Sequence, residues 1–147
     1  METRTQIVKA MALIRRPRDR ALLVSEHTDS AQAPFHRPLG GHVDFGEYAL
    51  NTVHREFLEE IGQSLTGVRL LGVLANIFPW NGATQHEIVF MFAASLADPA
   101  AYEIAEQNIL DEVDKPTRVI WRAPGATSPP LYPAGTELLA AELHRPG

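Results

Sequence analysis

The sequence predicts an α/β fold in which helices cover both faces of a mixed β-sheet, as in an α/β/α sandwich. Strand-like and helix-like segments are interleaved along the chain, which favours layers of helix packed on sheet. Two strong strand candidates, residues 65–78 and 86–96, flank Asn81-Gly82, a dipeptide that is common in hairpin turns. The second candidate is apolar on both faces, which is typical of a strand covered on both sides.

The first half of the chain is predicted to hold a hairpin followed by a helix. Residues 6–14 and 20–26 are apolar runs joined by a polar turn, which indicates paired strands. Residues 27–38 are polar with two prolines and are expected to form a loop. After a glycine-rich stretch at 40–46, apolar residues recur every three to four positions over 47–61, which predicts an amphipathic helix.

The second half continues with alternating elements after the 65–96 hairpin. Asp98 and Pro99 are the residue types favoured at the N-cap and first position of a helix, so a short helix is expected to run to about residue 107. The run at 118–122 predicts a strand, and residues 136–143 predict a last amphipathic helix.

Composition limits the class of protein. A chain of 147 residues with 45% hydrophobic and 21% charged residues is expected to be one globular domain spanning 1–147. The absence of cysteine excludes disulfides and thiolate metal sites, so oxygen or imidazole must hold any metal. The N-terminal segment lacks the apolar core of a signal peptide, and no apolar run approaches the roughly 18 residues that span a bilayer. A cytoplasmic protein with no membrane association is therefore expected.

The charge balance argues against nucleic-acid binding. The formal net charge is −5 and the pI is near 5.6, whereas nucleic-acid binders usually carry a basic stripe. The basic residues cluster in one short segment and are expected to form a solvated turn, with contact to substrate phosphates as the alternative; they are Arg15, Arg16, Arg18 and Arg20. An acidic protein that handles phosphates would need a divalent cation between itself and its ligand.

The helix predicted at 47–61 gathers its negative charge on one arc. Because each residue advances about 100° around the axis, Glu56, Glu59 and Glu60 fall together. They lie beside an apolar stripe predicted to face the core, made of Leu50, Val53, Phe57 and Ile61. No lysine or arginine follows these glutamates at the fourth position, and like charges at that spacing cost roughly 0.2–0.5 kcal/mol per pair. The arc therefore predicts a hard oxygen site for Mg²⁺ or Mn²⁺, with a simple solvated face as the alternative.

Glycines precede this helix. Gly40 and Gly41 are adjacent, and Gly46 lies just before the helical pattern. Glycine permits close approach of a backbone, and the N-terminus of a helix favours anions. A glycine loop that leads into an acidic helix indicates a site for phosphate and metal together.

From Gly41 the sequence reads GHVDFGEYALNTVHREFLEEIGQ, which resembles the Nudix box over residues 41–63. The box is Gly, five residues, Glu, seven residues, Arg-Glu, an apolar residue, one residue, Glu-Glu, one residue, Gly and an apolar residue. Eight defined positions are in register, namely Gly41, Glu47, Arg55, Glu56, Phe57, Glu59, Glu60 and Gly62. Gln63 departs from the pattern, and that departure bears on local packing more than on chemistry. The order of strands and helices is also similar to the Nudix α/β/α sandwich.

The resemblance implies hydrolysis of a nucleoside diphosphate linked to another moiety, with water attacking a phosphorus and Mg²⁺ or Mn²⁺ as cofactor. It implies metal ligation by the Gly40 carbonyl and by Glu56, Glu59 and Glu60, with Glu47 supporting the site directly or through water. Arg55 would hold a box glutamate in its ligating rotamer. Glu56 is the first choice for general base, although some family members use a carboxylate from a later loop.

Residues outside the box supply further candidates. The alternative bases are Glu87, Glu103, Glu106, Asp111 and Glu112, of which Glu87 could also face the substrate. Phe78, Trp80 and Trp121 could stack on a nucleobase, or pack in the core. The expected ligand is a small nucleotide-type molecule, and a homodimer is left open because dimers are common in the family. The alternative function is a non-catalytic nucleotide or nucleotide-sugar sensor, which would not need the complete set of glutamates.

Overall fold

Strands and helices alternate along the chain, which confirms the predicted α/β class. The structure, a computed structural model, describes residues 4–110, 112 and 114–143. Its strands are β1 (Ile7–Leu13), β2 (Leu22–Thr28), β3 (Pro34–Arg37), β4 (Leu39–His42), β5 (Leu65–Trp80), β6 (Ala83–Leu96), β7 (Glu106–Asn108) and β8 (Arg118–Arg122). The α-helices are α1 (Ala49–Ile61) and α2 (Thr136–Glu142), and a 3₁₀ helix spans Pro99–Glu103. None of the helices in these residues is both long and apolar enough to cross a membrane.

The strands form two four-stranded sheets rather than the single sheet that the sequence suggested. The first has the order β4-β1-β6-β5 and is mixed, because β1 runs parallel to β6 and antiparallel to β4. The second has the order β3-β2-β8-β7 and is antiparallel throughout. The two sheets adjoin where Arg15 bridges Leu22 and the Leu23 amide donates to the Ile14 carbonyl at 3.0 Å.

The predicted hairpin of β1 and β2 is wrong. The two strands belong to different sheets and meet at the isolated bridge between Arg15, which lies two residues beyond β1, and Leu22, because β4 and β6 already occupy the two edges of β1. The hairpin of β5 and β6 is confirmed. Asn81 and Gly82 form its turn with φ values of 50° and 78°, the left-handed conformation that this dipeptide adopts readily.

The sheets lie between the helices because β1 buries both of its faces. Ala10 and Ala12 contact the cluster that contains Val53 and Phe57 of α1. The alternate residues of β1, Met11 and Leu13, belong to a second cluster that contains Ala140 of α2. Side chains alternate across a strand, so α1 and α2 cover opposite faces, as an α/β/α sandwich requires.

Helix α1 follows the prediction except in its first turn. Val53, Phe57 and Ile61 are buried, but Leu50 is 45% exposed and does not join the core stripe. Thr52 takes the buried position there, because its hydroxyl donates to Glu47 Oε1 at 2.6 Å and to the Tyr48 carbonyl at 3.2 Å. 

Gly62 ends α1, as predicted. It has φ 68° and ψ 26°, and its amide donates to the Leu58 carbonyl at 3.0 Å. A left-handed residue after the last helical turn is the usual position for glycine, because a side chain there would be strained.

The short helix after Asp98 ends earlier than predicted. Asp98 does cap it, since its carboxylate accepts from the Ala100 amide at 3.0 Å. The helix stops at Glu103, however, and residues 106–108 form β7 on the free edge of β8. This pairing is non-local, which is why the sequence pattern of the segment did not indicate it.

His27, on β2, is held in its neutral form. Its Nε2 lies 2.7 Å from Ser25 Oγ, and its ring stacks on Phe35 with 5.2 Å between centroids. Burial lowers the pKa of His27 to about 3, and the positive charge of Arg37 acts in the same direction. In the unfolded chain the pKa of a histidine is near 6.5. Between about pH 6.5 and pH 3, His27 is therefore protonated in the unfolded chain but stays neutral in the folded chain.

We expect the His27→Gln variant to lose part of the pH dependence of stability. The contribution of His27 is fully present above about pH 6.5 and falls as the pH drops towards 3, because the unfolded state alone takes up the proton. Urea unfolding of both proteins at several values between pH 7 and 4 should give free energies that fall more steeply for the wild type. If the free energy of unfolding changed with pH by the same amount in both proteins, His27 would have the same pKa in the folded and unfolded states.

Candidate active site

Arg55, on α1, is the centre of an acidic cluster. Its Nε donates to Glu47 Oε2 at 2.9 Å and its Nη2 to Glu47 Oε1 at 3.0 Å, which makes a bidentate pair. Its Nη1 donates to Glu56 Oε1 at 3.0 Å and to both Glu59 oxygens at 3.2 and 3.3 Å. Nη2 also donates to the His42 carbonyl at 3.0 Å, which ties α1 to the end of β4. One guanidinium thus fixes three of the carboxylates that the sequence singled out.

Glu47 is bound from several directions. Besides Arg55, the Thr52 hydroxyl donates to it at 2.6 Å and the Asp44 amide at 3.2 Å. The hydrogen bond from Arg55, followed by that from Thr52, lowers the pKa of Glu47 to about 2. The same bond raises the pKa of Arg55 above its ordinary value. Both groups therefore keep their charges at neutral pH, and Glu47 supports the orientation of Arg55.

The two adjacent glycines lie on β4 and allow α1 to pack closely on the sheet. A Cβ at Gly41 would lie 2.4 Å from Glu56 Cδ and 2.6 Å from each Glu56 carboxylate oxygen. A Cβ at Gly40 would lie 2.0 Å from the Ala10 carbonyl oxygen on β1. Gly41 therefore provides the space for the Glu56 carboxylate, whereas Gly40 provides contact between strands.

The three α1 glutamates differ in exposure. The Glu56 side chain is 14% exposed and that of Glu59 is 46% exposed, while Glu60 is half-buried. Within the described residues, no three acidic or imidazole groups lie close enough together to hold a metal ion. Arg55 accounts for part of this arrangement, since its Nη1 lies between the carboxylates of Glu56 and Glu59. The set still offers hard oxygen donors on one helix face beside the Gly41 backbone, which is the chemistry that Mg²⁺ and Mn²⁺ prefer.

Glu87, a candidate for base or substrate contact, lies on the face of the first sheet opposite α1. Its register partner on β1 is Ile7, which shares a face with Lys9 and Met11, opposite the face that α1 covers. Its Oε2 lies 2.7 Å from Lys9 Nζ, and its Oε1 accepts from Asn76 Nδ2 at 3.1 Å. The sequence analysis missed Lys9 and Asn76, although a lysine inside the apolar run IVKAMAL was a visible signal.

The other candidate bases have separate surroundings. Glu103 pairs with Arg18, and Glu106 pairs with Arg118. Glu112 accepts from the Thr117 amide at 3.2 Å, and the nearby Leu110 amide donates to the Glu60 carbonyl at 2.9 Å. The loop that carries Glu112 is thus attached to the C-terminal end of α1. Asp111 lies outside the described residues.

The candidate aromatic residues occupy different sheets. Trp121 is on β8, where its Nε1 donates to the Ile104 carbonyl at 2.9 Å and the Arg16 guanidinium lies 5.0 Å from its ring centroid. Trp80 is half-buried at the end of β5. Because side chains alternate along a strand, Trp80 shares a face with Phe78 and Asn76.

Replacing Arg55 with lysine is expected to weaken Mn²⁺ binding by roughly 10–100-fold, the usual effect of losing a residue that orients metal ligands. A lysine keeps the charge but cannot reproduce the bidentate bond to Glu47 while also contacting Glu56 and Glu59. Isothermal titration with Mn²⁺ measures the change. Arg118→Lys, at an exposed ion pair on β8, is the matched control and should leave binding unchanged. Wild-type affinity in Arg55→Lys would remove Arg55 from this role.

The protein is thus an α/β/α sandwich in which Arg55, on the first helix, holds a cluster of glutamates. A family model of the NUDIX domain matches residues 5–126, which is most of the chain. The chain therefore belongs to the Nudix family, and its membership supports a hydrolase that acts on pyrophosphate bonds.

Solved structures confirm the fold. A MutT NUDIX hydrolase from Burkholderia pseudomallei is similar with a TM-score of 0.68 and 24% identity, over 95% of this chain and 99% of that one. A NUDIX hydrolase from Nitrosomonas europaea has a TM-score of 0.57 and 24% identity, over 81% of this chain and 73% of that one. The E. coli ORF135 protein has a TM-score of 0.56 and 22% identity, over 94% of this chain and 89% of that one.

Proposed function

We propose that this protein is a divalent-metal-dependent pyrophosphohydrolase that cleaves a nucleoside diphosphate linked to another moiety. The observation that carries the proposal is the contact between Gly41 and Glu56. The Glu56 carboxylate oxygens lie 2.6 Å from the position that a Cβ would take at Gly41, so the carboxylate packs against glycine backbone that carries no side chain. Such an arrangement leaves an acidic group beside open backbone, where a metal and a phosphate could approach it.

Metal binding is assigned to the carbonyl of Gly40 and to the carboxylates of Glu56, Glu59 and Glu60, with Glu47 as support. All are oxygen donors, which suits Mg²⁺ or Mn²⁺. Gly40 lies on β4, an edge strand of the first sheet, so carbonyls on its unpaired side point away from β1. A bound divalent cation would neutralise charge on the diphosphate and help to orient the attacking water.

Glu56 is assigned the role of general base. It would accept a proton from the attacking water as oxygen attacks phosphorus and the bond between that phosphorus and the bridging oxygen breaks. Its Oε1 accepts from Arg55 Nη1 at 3.0 Å, which holds the carboxylate in its present orientation. Glu112 remains the alternative base, because its loop is attached to α1 through the backbone of Leu110 and Glu60.

A phosphate-release assay of the purified protein on a panel of nucleotide derivatives tests the proposal. Release of phosphate, pyrophosphate or a mononucleotide is expected with Mg²⁺ or Mn²⁺ and should stop with EDTA. Glu60→Gln should lower the rate on the substrate that the assay identifies, and full activity in that variant would contradict the assigned mechanism. Tight, metal-dependent nucleotide binding without turnover would instead support a non-catalytic sensor.

A further inference from the structure

Arg37, the last residue of β3, is a half-buried arginine whose charged group has no partner in the part of the chain that the structure describes. Residues 4–110, 112 and 114–143 provide neither a hydrogen bond nor an ion pair to its guanidinium. Other arginines of the same chain do pair with carboxylates, namely Arg16, Arg18, Arg55 and Arg118. The free cation of Arg37 therefore needs an explanation in a protein whose formal net charge is −5.

The guanidinium of Arg37 is open to a ligand. Among the described residues, the buried nitrogen atoms that lack a partner belong to Arg15 and Arg20, so the nitrogens of Arg37 reach solvent. Partial burial of a charged group removes some of the water that would otherwise hydrate it, and that loss is unfavourable unless another group replaces the water. An anion that enters from solvent would supply that group.

The neighbours of Arg37 on β2 and β3 supply no negative charge. Its register partner on β2 is Ser25, and the next pair on the same face is His27 with Phe35. The Ser25 hydroxyl already contacts His27 Nε2 and the Arg37 carbonyl, and His27 is neutral. After burial, which is the larger cause, the charge of Arg37 lowers the pKa of both His27 and Lys9. A second cation thus lies near the first.

This face of the second sheet is the one that packs on α1. Leu23 lies two residues before Ser25 on β2 and therefore shares its face. Leu23 belongs to the core cluster that contains Val53 and Phe57 of α1. Arg37 consequently lies on the side of the sheets that α1 covers, which is also the side of the α1 glutamates.

The chain passes from Arg37 directly to the proposed metal site. Only Pro38 separates β3 from β4, and Gly40, whose carbonyl is assigned to the metal, follows soon after. An extended chain covers at most about 11 Å between Arg37 and Gly40. The charge of Glu60 raises the pKa of Lys9, against the larger effects of burial and of Arg37. The free cation and a proposed metal ligand therefore lie within electrostatic range of the same lysine.

We propose that Arg37 binds the diphosphate of the substrate through two hydrogen bonds to oxygens of one phosphate. A guanidinium is a planar fork of N–H donors that matches two phosphate oxygens, and it stays charged at every pH of interest. Arg37 thereby attracts an anion that the α1 glutamates alone would repel, and it orients the phosphate beside Gly40. This assignment rests on the proposed function, since it names a residue that binds the phosphates of the same substrate.

Isothermal titration with methylenediphosphonate in the presence of Mg²⁺ tests the assignment without turnover, because the P–C–P bridge of this diphosphate analogue is not hydrolysed. Arg37→Gln should weaken binding at least about tenfold, the effect of losing hydrogen bonds from a charged donor. Arg37→Lys should weaken it by a smaller factor, since lysine keeps the charge without the fork. Arg69→Gln, which replaces an exposed arginine of β5, is the matched control and should bind like the wild type.

The Mn²⁺ affinity and the melting temperature of Arg37→Gln should equal those of the wild type, because the Arg37 guanidinium holds no carboxylate among the described residues. An equal fall in Mn²⁺ affinity would show that Arg37 acts on the metal site and would overturn the assignment. If Arg37→Gln does not fold, Arg37→Lys decides the question, because wild-type affinity in that variant excludes the two-point contact.

Three further results would overturn the assignment: no binding of methylenediphosphonate by the wild type, wild-type affinity in Arg37→Gln, or an equal loss in Arg37→Gln and Arg69→Gln. The last result would report only on net charge. Binding that depends on Arg37 in a protein that hydrolyses no nucleotide would contradict only the proposed function. Hydrolysis with wild-type kcat/KM in Arg37→Gln would contradict only the role of Arg37.

Discussion

Replacing Glu56 with glutamine should lower kcat by about 10²–10⁴-fold, the range expected for loss of a general acid or base. Glutamine has the same shape as glutamate but cannot take a proton from the attacking water. It also replaces one carboxylate oxygen with an amide nitrogen, in a position where Arg55 donates at 3.0 Å. The loss should therefore appear in kcat on the substrate identified by phosphate release.

The matched control for Glu56→Gln is Glu137→Gln. Glu137 is in the first turn of α2, on the opposite face of the sheets, and its side chain is largely exposed. Wild-type kcat is expected for that control, and both variants should unfold near the wild-type temperature. A Glu56→Gln protein with wild-type kcat would show that another group, with Glu112 as the next candidate, accepts the proton.

Gly41→Ala should produce the second large effect, a loss of about 10²-fold in kcat/KM, because small displacements of catalytic groups have costs of that order. The added methyl group would lie 2.4 Å from Glu56 Cδ, so the carboxylate must move. The φ of Gly41 lies outside the left-handed range, so alanine adds no backbone strain there. The clash involves the end of a flexible side chain, and the fold should survive it.

Gly40→Ala provides the contrast, because its methyl group would meet backbone instead of a side chain. The nearest atom, the Ala10 carbonyl oxygen, would be 2.0 Å away, and β4 would have to separate from β1. We expect a marked fall in melting temperature for Gly40→Ala and a near-wild-type value for Gly41→Ala. Full activity in a stable Gly41→Ala protein would show that catalysis does not need Glu56 at its present position.

Local features of the fold were predictable from the sequence, and non-local ones were not. The Asn81-Gly82 turn and the Gly62 stop of α1 depend on the backbone preferences of a few adjacent residues, so the pattern alone located both. The pairing of β1 with β4 and β6 depends on residues far apart in the chain. That pairing made the expected β1–β2 hairpin impossible.

The same distinction applies to the candidate site. The box spacing placed Arg55 beside the glutamates, because all of them lie on or next to one helix, and the structure adds its bidentate bond to Glu47. The contacts of Glu87 with Lys9 and Asn76 could not be predicted, since these residues come from three strands whose order is set by the whole sheet. Leu50 was assigned to the core because its position fits the helical stripe. The hydrogen bond from Thr52 to Glu47 explains why Thr52, and not Leu50, is buried in the first turn of α1.

The central claim, that the α1 glutamates hold a divalent metal, is tested most directly by counting bound Mn²⁺ ions. Electron paramagnetic resonance of free Mn²⁺ during titration gives the number bound per chain for the wild type and for the variant Glu56→Gln, Glu59→Gln, Glu60→Gln. We predict saturable binding of at least one ion by the wild type and none by the triple variant, provided that the variant remains folded by circular dichroism. Equal binding by both folded proteins would contradict the claim.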